Sequence, residues 1–397
     1  MIRLPPVSRW LAVAKSGGAQ GDRRRDKVNE LRKADERADS TEVRCPICDA
    51  HSTAKRRSYG IAEVATHFVP ATRDPARHER LRELLVDLWA GRDTVEIHRC
   101  QRCFFEFAVP WVAGDESFYN LVTESDPHYP TSRWEFRQTL EHLQARFGRD
   151  DSPGPLRLLE VGAGDGAFLR QLHGRFGEAF LPLATEYDHG AVAKLRLAGF
   201  ETLHGAVQRL ADDDEYRSRF EVICVFQALE HIADVHGFFG ALGTLLREDG
   251  DIFVSVPYAP NIDLQEELVA YWDLPPNHVG RWTRAAFEAI ARRHQLLVQD
   301  WELEPVPRIV SAWRLAQYAV LGKAYDERTI PGRVNALRSR WVRGPVKRLM
   351  ALAYMPRVLA AWPRLCPATQ WVHLRSERPG QEVEGKARLG ASESPVW

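Results

Sequence analysis

From residue 156 onward, short apolar runs alternate with longer amphipathic segments. Because runs of this length are typical of buried strands, we predict strands at Arg157–Val161, Leu181–Glu186, Glu201–Leu203, Phe220–Phe226, Asp251–Val256 and Leu296–Trp301. The segments between them predict helices at Ala167–Arg175, Gly190–Ala198, Val235–Arg247 and Arg284–Arg293. Alternation of this kind implies right-handed crossovers, so the pattern predicts an α/β fold with a parallel sheet.

The turn after the first predicted strand is rich in glycine, which lets a ligand approach the backbone closely. It reads Glu160-Val161-Gly162-Ala163-Gly164-Asp165-Gly166. Glu160 ends the strand, at the edge where open α/β sheets bind ligands. The spacing Gly162-x-Gly164-x-x-Ala167, with Glu186 further on, also fits the loose dinucleotide-binding fingerprint. The acidic Glu160 and the extra Gly166 favour S-adenosylmethionine (SAM) over a dinucleotide.

The acidic-x-Gly-x-Gly-x-Gly pattern resembles the first motif of SAM-dependent methyltransferases with a Rossmann-like core. The resemblance implies a seven-stranded sheet with helices on both faces and a last, antiparallel strand, for which Thr369–Arg375 is the best candidate. It also implies that Glu160 receives the methionine ammonium, and that Glu186 accepts hydrogen bonds from the ribose hydroxyls. The predicted cofactor-binding residues are Glu160, Gly162, Ala163, Gly164, Gly166, Glu186, Tyr187 and Gln227.

The fourth strand is followed by Leu229-Glu230-His231, a triplet that recurs in this branch of methyltransferases. An unperturbed histidine suits a general base at neutral pH. The resemblance implies that His231 is the base and that Glu230 is its partner, although the same pair caps a helix in other relatives. His278 lies in a loop that matches a substrate-pocket loop, with an exposed loop histidine as the alternative. His231, Glu230 and His278 are therefore the predicted catalytic residues.

Four of the six cysteines form two Cys-x-x-Cys pairs, Cys45 with Cys48 and Cys100 with Cys103. Two such pairs complete a tetrahedral site for structural Zn²⁺, and redox-active or disulfide-paired cysteines are the alternative. A helical insertion between the pairs explains their wide separation. Together with the aromatic segment after Cys103, the arrangement is similar to bacterial sugar C-methyltransferases and their relatives in polysaccharide gene clusters. In those enzymes the cysteine module helps to build the substrate pocket.

Residues 307–368 contain twelve Lys or Arg and two Asp or Glu, a net charge of +10. Two apolar helix faces are predicted here, one over 309–320 and one over 346–355, with Pro356 breaking the second helix. This basic helical insertion is predicted to be a lid or a homodimer element. The alternatives are peripheral contact with a membrane through 307–368, and nucleic-acid binding, which is the less favoured of the two.

The predicted organisation is a disordered tail at 1–40, a zinc-binding module with a helical linker at 41–150, the methyltransferase core at 151–306, the insertion at 307–368, a final core strand at 369–378 and a second disordered tail at 379–397. Lys plus Arg and Asp plus Glu are both 54 in 397 residues, so net charge does not point to nucleic acid. No apolar run approaches the roughly 20 residues that span a bilayer, and no signal-peptide pattern begins the chain. We therefore expect a cytoplasmic protein, with peripheral association at the inner membrane as the variant.

These features predict a SAM-dependent methyltransferase that acts on a small molecule. The favoured substrate is a nucleotide- or glycan-linked sugar, methylated on carbon or oxygen. A quinone- or lipid-type O-methyltransferase at the membrane surface is one alternative. The other is an RNA-binding zinc protein, in which the cysteine module and the basic helices contact phosphates.

Overall fold

The computed structural model describes residues 43–122, 131–148, 154–268, 273–322, 328–335, 337 and 340–376. Both predicted tails, 1–40 and 379–397, lie outside these ranges. From Cys45 onward, the described residues form one compact unit. The cysteine-containing segment, the α/β core and the basic insertion therefore pack as parts of one body.

Two sheets organise this unit. The strands are β1 (Thr53–Gly60), β2 (Thr94–Cys100), β3 (Glu106–Val109), β4 (Leu156–Val161), β5 (Phe180–Glu186), β6 (Glu201–His204), β7 (Phe220–Phe226), β8 (Leu246–Pro257), β9 (Gly280–Arg281), β10 (Leu296–Leu303) and β11 (Thr369–Ser376). The larger sheet has seven strands in the order β10-β11-β8-β7-β4-β5-β6, and the smaller has four in the order β1-β2-β3-β9.

The seven-stranded sheet confirms the predicted fold class. β4 to β8 run parallel, and β11 lies antiparallel between β8 and β10. The register aligns Val161 of β4 with Thr185 of β5 and Val225 of β7, so these three strands end at one edge. That edge, where the glycine loop begins, is the place at which α/β sheets bind ligands. All seven predicted strands are present; the main difference is β8, which begins five residues early, at Leu246.

Helices connect and cover these strands. They are α1 (Ile61–Phe68), α2 (Pro75–Leu88), α3 (Glu116–Val122), α4 (Trp134–Phe147), α5 (Ala167–Phe176), α6 (His189–Leu197), α7 (Gln208–Ala211), α8 (Val235–Leu245), α9 (Ala259–Glu267), α10 (Arg284–Arg293), α11 (Arg308–Leu321), α12 (Ile330–Asn335) and α13 (Arg340–Ala360). Apolar residues at helical spacing produce the packing of α4, whose Phe136, Leu140 and Leu143 are buried in the sheet's core cluster. α4 was expected in the linker, but it packs as part of the core.

The smaller, four-stranded sheet, called the first sheet below because it contains β1, is formed mainly by the cysteine-containing segment. α1 and α2 lie between β1 and β2, which accounts for the long separation of the two Cys-x-x-Cys pairs. A hydrophobic cluster, which includes Leu81, Trp89 and Phe118, joins these helices to the sheet and to α3. β9, which lies between the core strands β8 and β10 in sequence, pairs with β3. The segment therefore shares its sheet with the core rather than forming an independent domain.

The basic insertion forms three helices before β11. α11 and α13 pack together with α9 around buried residues that include Ala316, Ala351 and Val358. The prediction that Pro356 ends a helix is wrong, because α13 continues through Pro345 and Pro356 to Ala360. Burial of Ala351 and Val358 offsets the hydrogen bonds that the two prolines remove. In the described residues, no helix is both long and apolar enough to cross a membrane.

Candidate active site

The loop after β4 holds its glycines in left-handed backbone conformations. Their φ angles are 72° at Gly162, 55° at Gly164 and 81° at Gly166, values that residues with side chains rarely adopt. A Cβ atom on Gly162 would lie 3.0 Å from the Cβ of Ala228, just after β7. The amide of Gly162 donates to Thr185 O at 2.9 Å. The loop is therefore closely fitted between the ends of β5 and β7.

Glu186 ends β5 and is held against this loop by backbone amides. Its Oε2 accepts a hydrogen bond from Gly164 N at 2.7 Å, and its Oε1 accepts from Tyr187 N at 2.7 Å and Asp188 N at 3.0 Å. An ionised carboxylate offers about four acceptor positions, so a ligand hydroxyl can still bind. Tyr187, one of the predicted cofactor-binding residues, is 66% exposed beside it.

Glu160 is buried at the end of β4, where one of its oxygens lacks a partner. Burial raises the pKa of Glu160 well above its usual value, and the carboxyl groups of Glu186 and Asp165 raise it further. Its Oε2 makes no hydrogen bond to any described residue. An unsatisfied buried carboxyl group is costly, and a cationic ligand group would remove that cost. The site thus fits a ligand with an ammonium group here. Ala163, the remaining predicted loop residue, is buried in the core cluster.

Gln227 follows β7 with a φ of 53°. Its Nε2 lies 3.4 Å from both Glu135 Oε1 and Ser255 Oγ. Burial raises the pKa of Glu135. The side-chain amide of Gln227, a predicted cofactor-binding residue, therefore points at the buried carboxyl group of Glu135 in α4. Its left-handed backbone conformation forms the turn that leads from β7 into residues 228–231.

A 3₁₀ turn after β7, Leu229–His231, carries two of the predicted catalytic residues. Glu230 is buried, and burial raises its pKa to about 7 although the charge of His278 opposes the shift. Its Oε2 has no hydrogen-bond partner within the described part of the chain. A carboxyl group with a pKa near neutrality is well matched to accept a proton at cellular pH.

Within the described part of the chain, the His231 ring makes its hydrogen bonds through Nδ1. Its Nδ1 lies 2.7 Å from Asn277 O. Because a carbonyl oxygen only accepts hydrogen bonds, Nδ1 carries the proton and Nε2 keeps its lone pair. Burial, together with the charge of His278, lowers the pKa of His231 to about 3. His231 is therefore neutral at cellular pH and is a weak base, which favours Glu230 over the predicted His231 as the proton acceptor.

His278 completes the cluster as a cation. Its Nδ1 lies 2.5 Å from Asp273 Oδ1. Burial opposes both charges, but their attraction outweighs it, so the pKa of His278 is raised and that of Asp273 is lowered. The rings of His231 and His278 meet edge to face, with centroids 4.5 Å apart. All three predicted catalytic side chains are thus brought together.

Tyr119, Asp273 and Asn277 also belong to this cluster. Tyr119 Oη lies 3.3 Å from His231 Nδ1, and burial raises the pKa of Tyr119. Val279 N donates to Glu230 O at 2.9 Å, joining the loop 273–279 to the 3₁₀ turn. The sequence pattern marks Tyr119 only as part of an aromatic segment, and nothing in it singles out Asp273 or Asn277.

A buried ionic group fixes the loop 273–279 to the first sheet. Arg281 follows the loop. Its Nη1 donates to Glu266 Oε2 at 3.1 Å and to Glu106 Oε2 at 3.4 Å. Tyr59 Oη of β1 donates to Glu266 Oε1 at 2.7 Å. Since paired buried charges are costly to separate, the loop that carries Asp273 and His278 is held in place by residues of the four-stranded sheet and of α9.

The four paired cysteines meet at one end of the first sheet. Cys45 Sγ lies 3.6 Å from Cys103 Sγ, and Cys48 Sγ lies 3.5 Å from Cys100 Sγ. All four sulfur atoms are within 4.8 Å of one another, and all are free thiols. A tetrahedral metal with Zn–S bonds of about 2.3 Å separates its sulfur ligands by roughly 3.8 Å. The arrangement therefore fits a four-thiolate metal site with no open position.

Contacts with α10 hold this cysteine cluster. Thr283 Oγ1, which caps α10, donates to Cys103 O at 2.8 Å. Arg293 at the other end of α10 donates to Ile47 O at 3.1 Å. Both Cys-x-x-Cys turns thus rest on the same core helix. The two remaining cysteines lie elsewhere; Cys224 is buried in β7, as expected of a small apolar residue.

Comparison with known proteins finds a family model that matches most of the core. Residues 133–300 match a family model described as a methyltransferase domain. A ubiquinone biosynthesis O-methyltransferase of Brucella anthropi is 30% identical over 174 residues, which are 41% of this chain and 64% of that protein. The polyketide synthase ThaQ of Burkholderia thailandensis is 28% identical over 122 residues, 29% of this chain and 6% of that protein. The chain therefore spans less than two thirds of each of these relatives.

Solved structures with a similar arrangement include a putative sarcosine dimethylglycine methyltransferase from Galdieria sulphuraria. It is 12% identical, with a TM-score of 0.39, and the match covers 61% of this chain and 86% of that one. The matched methyltransferase domain contains the glycine loop, Glu186 and the Glu230–His231–His278 cluster. It begins at α4 and does not include the cysteine pairs. The part of the chain that matches the methyltransferase-domain model is thus joined to a cysteine-containing segment that the match does not include.

Proposed function

We propose that this protein is a SAM-dependent methyltransferase that acts on a small molecule. The observation that carries the proposal is made at one edge of the seven-stranded sheet. There the glycine loop is hydrogen-bonded to Glu186, and the buried carboxyl group of Glu160 has an oxygen without a partner among the described residues. The methyltransferase domain matched at 133–300 supports it independently. It also favours an enzyme acting on a small molecule over the RNA-binding alternative.

The residues of this end have complementary tasks in holding SAM. Glu186 would accept a hydrogen bond from a ribose hydroxyl through its remaining acceptor position, and Tyr187 would cover the adenine. The Gly162–Gly166 loop would let the cofactor approach the backbone closely. Glu160 would pair with the ammonium group of the cofactor. Bound SAM supplies an electrophilic methyl group for in-line transfer.

The acceptor would bind at the Glu230–His231–His278 cluster. His231 Nε2 would accept a hydrogen bond from the acceptor hydroxyl and orient it, because Nδ1 is already committed to Asn277 O. Glu230, with its pKa near 7, would remove the proton. His278, held cationic by Asp273, would stabilise the negative charge that develops on the acceptor oxygen. The same groups serve an acidic carbon equally well.

A nucleotide- or glycan-linked sugar is the substrate class we favour. In the sugar C-methyltransferases that the sequence resembles, the cysteine module helps to build the pocket. Here Tyr119, on α3 beside the module, lies 3.3 Å from His231. A polar tyrosine next to a neutral histidine provides the hydrogen-bonding groups that recognise hydroxyl-rich ligands.

A quinone- or lipid-type acceptor is the second candidate. It is supported by the name of the Brucella anthropi relative, a ubiquinone biosynthesis O-methyltransferase. A phenolic hydroxyl would need the same proton acceptor, Glu230, and the same neighbouring cation.

Zinc is proposed as a structural component. The four cysteine sulfurs supply a complete set of tetrahedral ligands. Because the backbone of the cysteine turns is hydrogen-bonded to α10, the metal would help to join the first sheet to the core. Metal analysis should give one zinc per chain, lost in Cys103→Ser. Cys366→Ser, which alters a half-buried cysteine outside the cluster, should retain it. Full metal content in Cys103→Ser would contradict this assignment.

Transfer of a labelled methyl group from SAM tests the function directly. The zinc-loaded protein would be incubated with nucleotide-linked sugars and, separately, with polyprenylated phenols. We expect label in a sugar, with loss of transfer in Glu230→Gln and retention in Glu248→Gln, which alters an exposed carboxylate of β8. Label in the phenols alone would favour the second candidate. Transfer that is unaffected by Glu230→Gln would remove Glu230 from the reaction.

A further inference from the structure

α13 is apolar on two opposite faces. One face packs against α11 and α9 through Ala351 and Val358, which are fully buried. The other face carries Trp341, Leu349, Leu352 and Leu359, which are 87%, 65%, 53% and 40% exposed. These positions recur at helical spacing, so they form one stripe along the helix.

The two prolines of α13 extend this stripe. Pro345 and Pro356 are spaced so that they lie on the same side as Trp341 and Leu352, and both are exposed. More exposed apolar residues lie in the neighbouring segments of the insertion: Ile309, Ile330, Leu337 and Trp362. Apolar residues gathered along one surface, rather than scattered singly, indicate a binding surface.

The positive charge around the stripe favours an anionic partner. Residues 328–368 contain nine Lys or Arg and no Asp or Glu. Arg364 is paired with Glu267, and Arg357 donates to Glu267 O at 3.2 Å, whereas Arg348 is exposed on α13 itself. A second copy of this chain would bring two such cationic surfaces together, which is unfavourable. An anionic lipid surface is complementary to it, because basic residues near such a surface are attracted to the negatively charged headgroups.

The geometry of α13 suits the plane of a membrane. Twenty-one residues form a helix about 32 Å long. With its arginines and its packed face, the helix is not an apolar span. A helix of this kind buries its apolar stripe at the boundary between headgroups and acyl chains, while its basic residues contact the phosphates.

We propose that α13 is an interfacial helix that docks the protein on an anionic phospholipid surface, with Trp341, Leu349 and Leu352 inserted and Arg348 at the headgroups. This inference does not depend on the proposed enzymatic function.

Cosedimentation of the full-length, zinc-loaded protein with vesicles tests the proposal. Phosphatidylglycerol-rich vesicles are compared with pure phosphatidylcholine vesicles at low and high salt. We expect binding to the anionic vesicles that weakens as salt screens the arginines. The double variant Leu349→Glu/Leu352→Glu should lower the vesicle affinity at least tenfold. Leu197→Glu, at an 89% exposed position of α6, should leave it unchanged.

Two further measurements keep the result decisive. Circular dichroism and S-adenosylhomocysteine binding report whether the double variant remains folded, and if it does not, Trp341→Ser takes its place. Light scattering reports the oligomeric state. A wild-type dimer that the double variant dissociates, without binding to anionic vesicles, would overturn the proposal in favour of a second copy of the chain. Equal binding of wild type and a folded variant to the vesicles would overturn it as well.

Discussion

The cofactor end and the acceptor end of the proposed site are built by different means. At the cofactor end, Glu186 and the glycine loop are joined through backbone amides at the ends of adjacent parallel strands. At the acceptor end, Tyr119, His231 and His278 come from three distant segments and interact through side chains. The first arrangement requires only the core, whereas the second also requires the first sheet.

Charge separates the two ends as well. The cofactor end gathers the carboxyl groups of Glu160 and Glu186, which suit a ligand with an ammonium group and ribose hydroxyls. The acceptor end sets one cation, His278, beside a carboxyl group of nearly neutral pKa, Glu230. This difference implies that substitutions can disable one end while leaving the other intact, and four experiments examine that separation.

Removing the proposed zinc should have the largest effect. We expect Cys103→Ser to abolish methyl transfer, since Tyr119 lies on the segment that the metal site would hold in place. Affinity for S-adenosylhomocysteine should change less than about threefold, because the cofactor end uses core residues. Calorimetry and label transfer measure the two quantities. Equal loss of both would show that the two ends are not separable.

Replacing the proposed base should come next. Glu230→Gln should lower kcat by about 10²–10⁴-fold without changing cofactor affinity. The carboxylate must be ionised to accept a proton, so wild-type kcat should rise as pH increases through about 7 and should fall on the acid side. A rate that stays level from pH 5 to 9 would instead point to a base of low pKa, as His231 is.

A side chain in the glycine loop should affect the cofactor end alone. Gly162→Ala adds a Cβ at a φ of 72°, 3.0 Å from Ala228, at a cost of about 1–2 kcal/mol. We expect roughly tenfold weaker cofactor binding, and near-normal kcat at saturating SAM. Gly174→Ala is the matched control: it lies in α5 with no atom within 4 Å of the new Cβ, and should stabilise the fold by about 0.5–1 kcal/mol. Similar effects of the two substitutions would rule out a close approach at Gly162.

Removing the hydroxyl of Tyr119 should have the smallest effect. Tyr119→Phe deletes one hydrogen-bonding group near His231, worth about 1 kcal/mol, so kcat/KM should fall about fivefold. Tyr216→Phe, far from the cluster in the 3₁₀ turn Asp214–Tyr216, should have no effect. A loss in cofactor affinity instead of in kcat/KM would place Tyr119 at the other end of the site.

The same difference explains what sequence reasoning can predict. Strands such as β7 are marked by continuous apolar runs, and the glycine loop is marked by its own spacing, so both follow from local sequence. Glu230, His231 and His278 could be named from the short segments that carry them. The structure places all three in one cluster.

What could not be predicted depends on tertiary packing. Asp273 pairs with His278, and Asn277 orients His231, but neither is distinguished by residue type or spacing. The path of α13 through Pro356 could not be predicted either, because burial of Val358 outweighs a local helix-breaking signal. Likewise, β9 joins the first sheet by a two-residue pairing that leaves no pattern in the sequence.

Calorimetric titration of the zinc-loaded protein with S-adenosylhomocysteine tests the central claim most directly, with Glu186→Ala and Glu201→Ala in parallel. Glu201 is an exposed carboxylate at the opposite end of the neighbouring strand β6. The account predicts micromolar binding by wild type and Glu201→Ala, and at least tenfold weaker binding by Glu186→Ala. No binding by folded wild type, or equal binding by all three proteins, would contradict it.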